Sequence, residues 1–371
     1  MNIQLEITPF ENWFDGFVPP VFIAGPCAAE SEKQVLETAH AIKKTGKVLA
    51  FRAGIWKPRS SPNSFEGVGK KGLDWLQTVK KETGLLMVVE VAKPKHVELC
   101  LNAGIDMVWL GARTTSNPFS VQEIVSALEG SNVAVLVKNP VNPDLSLWIG
   151  AMERLNKVGI KKIAAIHRGF YPFEKTILRN IPKWELMIEL KRQFPQLPII
   201  CDPSHIAGDT RFIKDISQKA LDLNVNGLMI EVHSDPKHAL SDALQQLTPD
   251  ELNHLINSLQ IRSADSDDID FTNHLEQYRE QIDSIDTQLL ELLAQRMNVV
   301  EQIGKYKSKN DVTILQLRRW EKILSTRTEI GEKLGLSENL VAKLLQLIHK
   351  ESISKQTEIM NKIKPEDVNF D

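Results

Sequence analysis

Four residues of the chain have the combined chemistry of a metal site. They offer one thiolate, one imidazole and two carboxylates, and they are Cys27, His205, Glu231 and Asp242. Such a mixed set suits a borderline divalent ion, with Mn²⁺ as our first choice and Fe²⁺, Co²⁺ or Zn²⁺ as the others, rather than Ca²⁺. A buried thiol and a core histidine are the alternative interpretation, because only a fold can bring such distant positions together.

Six cationic residues form a second group that can do chemistry. They are Arg52, Lys57, Arg59, Arg113, Lys138 and Arg168. The whole chain has a net charge of −3, so neither a nucleic acid nor a membrane surface is an expected partner. Cations that face one another away from water repel unless an anion lies between them, and arginine grips phosphate and carboxylate through paired hydrogen bonds. The group therefore predicts a small substrate that carries phosphate and carboxylate.

The elements that would position these residues are eight short apolar runs, each typical of a buried parallel strand. They begin at Val21, Val48, Leu85, Met107, Ala134, Lys162, Pro198 and Gly227. Helical patterns such as KQVLETAHAIKKT and WELMIELKRQF lie between them, so the sequence predicts an α/β fold, a (β/α)₈ TIM barrel. A doubly wound open sheet is the rival fold, although no G-x-G-x-x-G segment follows any of the strands.

Polar residues occupy the positions where the apolar runs stop. In a barrel these positions share one mouth, which is where barrel enzymes build their active sites. The residues expected at this mouth are Cys27, Arg52, Glu90, Arg113, Lys138, His167, Arg168, Asp202, His205, Glu231 and His233.

The composition of the chain changes near residue 263. Sixteen of the 19 glycines and 17 of the 18 prolines lie before this point, and the acidic stretch RSADSDDID at 262–270 is typical of a linker. We predict a barrel domain over 1–260, a linker over 261–273 and an all-helical domain over 274–371, with helices near 274–308, 314–331 and 337–361. The first residues lack a secretory-signal pattern, and the three cysteines are not spaced as a disulfide framework, so we expect a cytoplasmic protein.

Several polar residues of the helical region favour ligand binding. Arg279 and Arg296 are 17 positions apart, about 26 Å along one helix, so they can meet at one small ligand only if two helices pack together. Arg296 and Lys307 share a helical face, and Ser352 and Gln356 lie one turn apart. A dimerising coiled coil without chemistry is the alternative interpretation.

The barrel region resembles the type I beta group of 3-deoxy-D-arabino-heptulosonate 7-phosphate (DAHP) synthases. The resemblance covers roughly residues 15–258 and rests on the segments AGPCAAES, FRAGIWKPRSSP, WLGART, LVKNP, HRGF, DPSH and IEVHSDPKHALSD. It implies a metal-dependent condensation of phosphoenolpyruvate with erythrose 4-phosphate, and it makes Cys27, His205, Glu231 and Asp242 the metal ligands. The implied phosphoenolpyruvate contacts are Arg52, Lys57, Arg113, Lys138 and Arg168, with Asp202 in the same substrate site.

Two details of this implied reaction concern the loop after the second strand. Lys57 is the expected proton donor to the new alkoxide, with a metal-bound water as the alternative. Arg59 and Ser60 match the family's site for the sugar phosphate. The related synthases that use arabinose 5-phosphate resemble Lys-Ala-Asn-Arg at this loop, whereas this chain has Lys-Pro-Arg, so the four-carbon aldehyde is favoured.

Residues 274–362 resemble the all-helical AroQ class of chorismate mutase, through the segments YREQID, LLAQR, GKYK, QLRRW and KESISKQ. The resemblance implies that chorismate is rearranged to prephenate in a site shared by two chains of a homodimer. The implied site residues are Arg279 from the partner chain, Arg296, Lys307, Gln316, Arg319, Ser352 and Gln356, with Arg296, Lys307 and Gln356 in catalysis. The rival interpretation is a non-catalytic tail that only senses ligand or dimerises. We also expect prephenate or chorismate to regulate the barrel.

Overall fold

The computed structural model describes residues 4–57, 65–174, 176–263 and 265–362. The chain divides into two compact units, Met1–Ala264 and Asp265–Asp371, which are described separately below. Within the described residues, no helix combines the length and the apolar character needed to cross a bilayer.

The first unit is built on eight parallel strands. They are β1 (Val21–Gly25), β2 (Val48–Ala53), β3 (Leu86–Val91), β4 (Met107–Leu110), β5 (Ala134–Lys138), β6 (Ile163–His167), β7 (Ile199–Cys201) and β8 (Gly227–Glu231). The strands pair in sequence order, and β1 also pairs with β8, so the sheet closes into a barrel. The predicted barrel is confirmed and the rival open sheet is wrong.

Helices surround this sheet and connect its strands. They are α1 (Glu32–Lys43), α2 (Lys71–Thr83), α3 (Pro94–Asn102), α4 (Ala112–Thr115), α5 (Pro118–Leu128), α6 (Leu145–Lys157), α7 (Trp184–Gln193), α8 (Pro203–Ala207), α9 (Ile213–Asp222) and α10 (Pro249–Ser258). Side-chain caps start several of them: Ser31 accepts from the Gln34 backbone N–H before α1, and Thr248 and Glu251 form a capping box at α10.

Strand periodicity decides which side chains face the barrel interior. Apolar residues at alternate positions, such as Ala50, Leu136 and Met229, fill the interior. The next inward positions toward the carboxyl ends of these strands are Arg52, Lys138 and Glu231. The alternation that builds the apolar interior therefore also delivers charged groups to one end of the barrel.

Aromatic residues before β1 fill the opposite end. Phe10, Trp13 and Phe17 are each at most 3% exposed, and the Phe10 ring lies 5.0 Å from each of the other two rings. Leu49 and Leu86, near the amino ends of β2 and β3, pack against the same cluster. The amino end of the barrel is thus closed by the chain's own first segment.

The second unit consists of three helices. They are α11 (Ile269–Lys309), α12 (Leu317–Lys333) and α13 (Glu338–Lys362), and α13 packs against both of the others. The all-helical prediction is confirmed, but the first helix begins at Ile269, so residues 269–273 are not linker. Asp268 caps the helix at this earlier start, because its side chain accepts a hydrogen bond from the Phe271 backbone N–H at 3.0 Å.

Apolar side chains line the first half of α11 without cover from their own unit. Ile282, Ile285, Leu289 and Leu292 are each more than half exposed. Their spacing places them along one stripe of the helix. An exposed apolar stripe of this size is unusual on a folded unit that is monomeric in solution.

Candidate active sites

The predicted metal ligands meet at the carboxyl ends of the barrel strands. Single ligand atoms of Cys27, Glu231 and Asp242 all lie within 4.8 Å of one another. The Cys27 Sγ is 3.0 Å from Asp242 Oδ2, and His205 Nε2 is 3.8 Å from Glu231 Oε1. The neighbouring strands β1, β7 and β8 supply or lead to these residues, as the closed barrel requires.

The protonation of the cluster fits a borderline divalent ion. Burial raises the pKa of Cys27 to about 12, so the thiol needs a cation to become a thiolate near neutral pH. Burial also lowers the pKa of His205, and its Nδ1 lies 2.8 Å from Asp202 Oδ2. A carboxylate at one ring nitrogen leaves the other nitrogen for a metal, which is a recurring arrangement at metal-binding histidines.

A cavity of about 250 Å³ opens beside this cluster. Four of the predicted substrate residues line it together with His205 and Asp242, and they are Lys57, Arg113, Lys138 and Arg168. Glu90, expected at the mouth, also lines it. Arg59 and Ser60, the predicted sugar-phosphate residues, lie outside the described residues.

Arg52 and Asp202 are buried and do not line the cavity. The Arg52 guanidinium donates to Glu231 Oε1 at 3.0 Å and lies 3.9 Å from Asp202 Oδ2. Lys138 Nζ donates to the same Asp202 oxygen at 2.8 Å, and the Trp109 ring lies beneath both cations. These contacts connect the buried charges to one another, and the contacts of Arg52 and Asp202 with substrate stay predictions.

Arg168 is a buried cavity cation beside which an anion would be favourable. Its side chain donates to Asn180 Oδ1 at 2.8 Å and to the Gly169 carbonyl at 3.3 Å, both neutral groups. Burial lowers the pKa of Arg168 to about 10, and the nearby charges of Arg179 and Arg113 act in the same direction. An anionic ligand would relieve both effects.

Lys57 lies at the border between the cavity and the metal cluster. Its Nζ is 3.1 Å from Cys27 Sγ. Burial alone would lower the pKa of Lys57, but the acidic groups Cys27, Glu90 and Glu231 outweigh it and raise the pKa above the usual value. Lys57 is therefore an ammonium group that can hold a proton beside the metal ligands.

Two histidines expected at the mouth do not line the cavity. His167 points away from the barrel interior because Ile166 takes the inward position, and its ring lies near Trp148 and Trp184. His233 accepts from the Asp235 backbone N–H through Nδ1, and its Nε2 lies 3.6 Å from Glu30. The strand-end prediction is therefore wrong for His167, whereas His233 lies at the carboxyl end of the barrel but outside the cavity.

Sequence reasoning missed functional residues that lie on loops. Arg179 and Asn180 line the cavity, and Gln245 contacts Glu231. None of them ends a strand, and no motif singled them out. The strand-end rule has no signal for a residue that a loop brings back to the mouth.

The helical unit brings together only part of its predicted site. Arg296 on α11 donates to Ser352 Oγ on α13 at 2.7 Å, and Gln356 Nε2 donates to the Ser352 carbonyl at 3.1 Å. Lys307 Nζ donates to the Ile314 carbonyl at 2.5 Å. Burial lowers the pKa values of Arg296 and Lys307, so both cations are partly withdrawn from water.

The remaining predicted residues of this unit are exposed. Gln316 and Arg319 lie at the start of α12. Arg279 is 61% exposed on the first half of α11, where it pairs with Glu276 at 3.3 Å. A single chain therefore does not bring Arg279 to Arg296, as the 17-residue spacing requires.

Two further features of this unit were not foreseen. The Trp320 ring stacks on His349, with centroids 4.0 Å apart and planes 8° from parallel, which ties α12 to α13 beside the charges of Arg296 and Lys307. A Cβ on Gly304 would lie 3.3 Å from Gln356 Cγ, so glycine allows α11 to approach α13 at the site. An isolated glycine in a helical pattern is the signal that could have indicated this approach.

A parallel (β/α)₈ barrel whose mouth combines a sulfur–imidazole–carboxylate cluster with a cation-lined cavity defines a class: metal-assisted enzymes that act on small anions. Residues 11–265 match the model of the DAHP synthetase I family, and residues 278–357 match the model of chorismate mutase type II. The chain belongs to the DAHP synthetase I family.

Individual relatives agree with this assignment. Phospho-2-dehydro-3-deoxyheptonate aldolase of Thermotoga maritima is 32% identical over 229 residues, which are 61% of this chain and 64% of the relative. Its crystal structure superposes with a TM-score of 0.59 at 31% identity, over 64% of this chain and 67% of that one. A 2-dehydro-3-deoxyphosphooctonate aldolase of Helicobacter pylori is 27% identical over 272 residues, 65% of this chain and 94% of that protein. The chain thus spans less than two thirds of the Thermotoga relative.

Proposed function

We propose that the barrel condenses phosphoenolpyruvate with erythrose 4-phosphate and water to give DAHP and phosphate, and that the helical unit rearranges chorismate to prephenate. The observation that carries the first activity is the cavity in which four cations adjoin His205 and the cluster of Cys27, Glu231 and Asp242. The family assignment and the Thermotoga relative support the same reaction.

The cavity cations suit the binding of phosphoenolpyruvate. Arg113, Lys138 and Arg168 line one small space, where a phosphate and a carboxylate would neutralise their mutual repulsion. Holding this substrate in one orientation would direct its C3 toward the aldehyde carbon. Fixing the two reactants in this way lowers the entropic part of the activation free energy. The new bond joins these two carbons, water adds to C2 of phosphoenolpyruvate, and phosphate leaves.

The metal cluster lies where the aldehyde would be activated. Cys27, His205, Glu231 and Asp242 would hold a divalent ion, with Mn²⁺ as our first choice, and the ion supplies Lewis-acid polarisation of the carbonyl. Lys57 holds its proton next to this cluster and can transfer it to the alkoxide oxygen that forms. Lys57 is thus the proposed proton donor.

Arg59 and Ser60 are the proposed residues for the phosphate of the sugar. The support is the sequence Lys57-Pro58-Arg59-Ser60. Because octonate aldolases are also relatives, arabinose 5-phosphate is the aldehyde to exclude.

The test is the consumption of phosphoenolpyruvate with each of the two aldehydes, with and without prior chelation. We expect turnover with erythrose 4-phosphate, little with arabinose 5-phosphate, and recovery of the chelated protein on addition of Mn²⁺. Preference for the five-carbon aldehyde would assign the octonate reaction instead. Full turnover after exhaustive chelation would remove the metal from the proposal.

The proposed mutase site lies around Arg296 and Lys307. The arginines would hold the two carboxylates of chorismate in its compact conformer, and Lys307 with Gln356 would stabilise charge on the breaking ether oxygen. In this role the donor would be the Gln356 Nε2, which in the free protein donates to the Ser352 carbonyl. Arg319, Gln316 and Ser352 complete the site as substrate contacts.

Arg279 of a second chain is the proposed missing arginine. The exposed apolar stripe on the first half of α11 supports a homodimer that covers it. Sedimentation of the full chain should give a dimer at micromolar concentration, and Leu289→Lys should weaken the dimer and the mutase activity together. A monomer with full mutase activity would contradict the shared site.

We further propose that prephenate or chorismate bound at the helical unit regulates the synthase. The support is that two ligand-binding units share one chain, so a ligand of one can influence the other if its affinity differs between two arrangements. A helical unit that only dimerises is the alternative.

A further inference from the structure

Arg179 belongs to no strand, yet its guanidinium reaches the metal cluster. Its Nη1 donates to Asp242 Oδ1 at 3.0 Å and to Gln245 Oε1 at 2.6 Å. The other carboxylate oxygen of Asp242 lies 3.0 Å from Cys27 Sγ. The guanidinium therefore holds one oxygen of Asp242 and leaves the second directed toward the thiol.

Gln245 extends this contact to a second carboxylate. Its Nε2 donates to Glu231 Oε2 at 2.6 Å, and its side chain is 1% exposed. Because Arg179 can only donate and the ionised Glu231 can only accept, the orientation of the Gln245 amide is determined by its two partners. Arg179 and Gln245 together thus connect Asp242 with Glu231.

The backbone at Asp242 needs such support. Asp242 has a φ of +51°, in the left-handed region that side-chain-bearing residues rarely adopt, and it lies on the loop between β8 and α10. A strained conformation persists only where surrounding contacts determine it. The bond from Arg179 is one such contact.

Arg179 is itself held against the helix that carries His205. Its backbone N–H donates to the Ala207 carbonyl at 3.1 Å. Gly208 has a φ of +71°, and a Cβ there would lie only 2.4 Å from Arg179 Cβ. The next residue, Asn180, donates through Nδ2 to the His205 carbonyl at 2.6 Å. The segment is therefore anchored at α8, and the Arg179 side chain reaches the loop after β8.

We propose that Arg179, acting through Asp242 and Gln245, is a positioning residue that sets the affinity of the cluster for its divalent ion. The inference rests on the proposed function in one respect, namely that this cluster binds metal. Two physical effects of Arg179 have opposite signs. Its positive charge opposes a nearby cation, whereas fixing a ligand carboxylate favours binding.

The substitution Arg179→Met separates these two effects. It removes the charge and the hydrogen bonds while keeping much of the side-chain volume. If charge dominated, the variant would bind metal more tightly. Since positioning dominates in our proposal, we expect the dissociation constant for Mn²⁺ to rise about 10- to 100-fold.

The experiment is a Mn²⁺ titration of the full chain, with the free ion measured by electron paramagnetic resonance. Arg192→Met is the matched control, because Arg192 lies on α7 with 70% of its side chain exposed and pairs with Glu189. We expect the control to stay within about twofold of the parent, as is usual for surface substitutions. Arg179→Lys keeps the positive charge but lacks the planar guanidinium group with its fixed donors. Its affinity for Mn²⁺ should therefore lie between those of Arg179→Met and the parent.

A second variant keeps the test independent of one substitution. Gln245→Met should weaken Mn²⁺ binding in the same direction, and the double variant should lose less than the product of the two single losses, because both belong to one network. Far-ultraviolet circular dichroism of each variant identifies any that has not folded.

Each result has one meaning. Equal or tighter Mn²⁺ binding by folded Arg179→Met overturns the positioning role while the metal site stands. Failure of the parent chain to bind one Mn²⁺ per chain overturns the metal site, and with it the metal part of the proposed function. Weaker binding by both single variants, with an unchanged control, supports the inference.

Discussion

The barrel mouth and the helical site differ in how much of each site one chain completes. At the barrel mouth, the buried Arg52 contacts both Asp202 and Glu231, and the cavity cations line one small space. In the helical unit, Arg296 contacts Ser352, but Arg279 and Arg319 remain in water. Strand register brings the barrel residues together within one chain, whereas the proposed helical site also needs an arginine from a second chain.

The largest expected effect separates the two activities by one substitution in the barrel. Cys27→Ala should remove the only sulfur ligand, weaken metal binding and lower synthase turnover at least about 100-fold, because Lewis-acid stabilisation is worth several kcal/mol. Mutase activity should stay within about twofold of the parent. Metal content and both activities are measured on the same preparation.

Cys100→Ala is the control for this substitution. Cys100 is a buried thiol on α3 and contributes nothing to the metal cluster in the described structure. It should keep metal and both activities. Retention of synthase activity by Cys27→Ala would show that the thiol is dispensable.

The reciprocal substitution lies in the helical unit. Arg296→Ala should lower mutase kcat/KM at least about 100-fold, because loss of one member of a partly desolvated charge contact costs about 2–5 kcal/mol. Synthase activity without effector should not change. Arg327→Ala, on the exposed part of α12, is the matched control. A loss of both activities by Arg296→Ala would mean that the two units are not separable.

Feedback by the mutase ligand would connect the two regions. We expect prephenate to change synthase activity of the full chain about 5- to 150-fold, the range of a coupling of about 1–3 kcal/mol. A shortened chain that ends at Leu259 should not respond, and Arg296→Ala should abolish the response in the full chain. Equal responses of the full and shortened chains would place the sensor in the barrel.

The smallest expected effect concerns acid stability of the barrel. Burial lowers the pKa of His167 from 6.5 to about 3, so between these values the unfolded chain binds a proton that the folded chain does not. The free energy of unfolding should therefore fall by about 1.4 kcal/mol per pH unit below pH 6.5 on account of this residue. Above pH 6.5 the residue contributes no pH dependence.

His167→Phe keeps a ring among the aromatic neighbours and removes this titration. Urea unfolding at pH 7.5 and pH 5.5, followed by tryptophan fluorescence, should show a smaller loss of stability for the variant than for the parent. His254→Phe, at an exposed position of α10, is the control and should behave as the parent. Equal losses for His167→Phe and the parent would show that His167 is protonated in the folded state.

The positions of residues that follow from strand periodicity could be predicted from the sequence. Positions that depend on side-chain orientation, loop conformation or a single hydrogen bond could not. All eight strands and the meeting of Cys27 with Glu231 at one end of the barrel follow from apolar runs and the polar residues that end them, whereas Asp242 lies on the loop after β8. His167 was misplaced because adjacent residues on a strand face opposite sides, and Ile166 takes the inward side.

Loops and caps account for the remaining differences. Arg179 and Gln245 reach the mouth through loop conformations, such as the positive φ of Gly208, that no periodicity encodes. The early start of α11 depends on one side-chain bond from Asp268. A single side-chain cap of this kind contributes about 1 kcal/mol to helix stability. The pattern of apolar residues carries no information about such a contact.

The aromatic closure of the barrel's amino end has a practical consequence for engineering a smaller catalyst. Phe10, Trp13 and Phe17 are part of the hydrophobic core although they precede the first strand. Truncating one such buried ring typically costs about 3–5 kcal/mol, so losing all three would exceed the stability margin of most domains. Any shortened version of the barrel must therefore retain the segment from Phe10 onward.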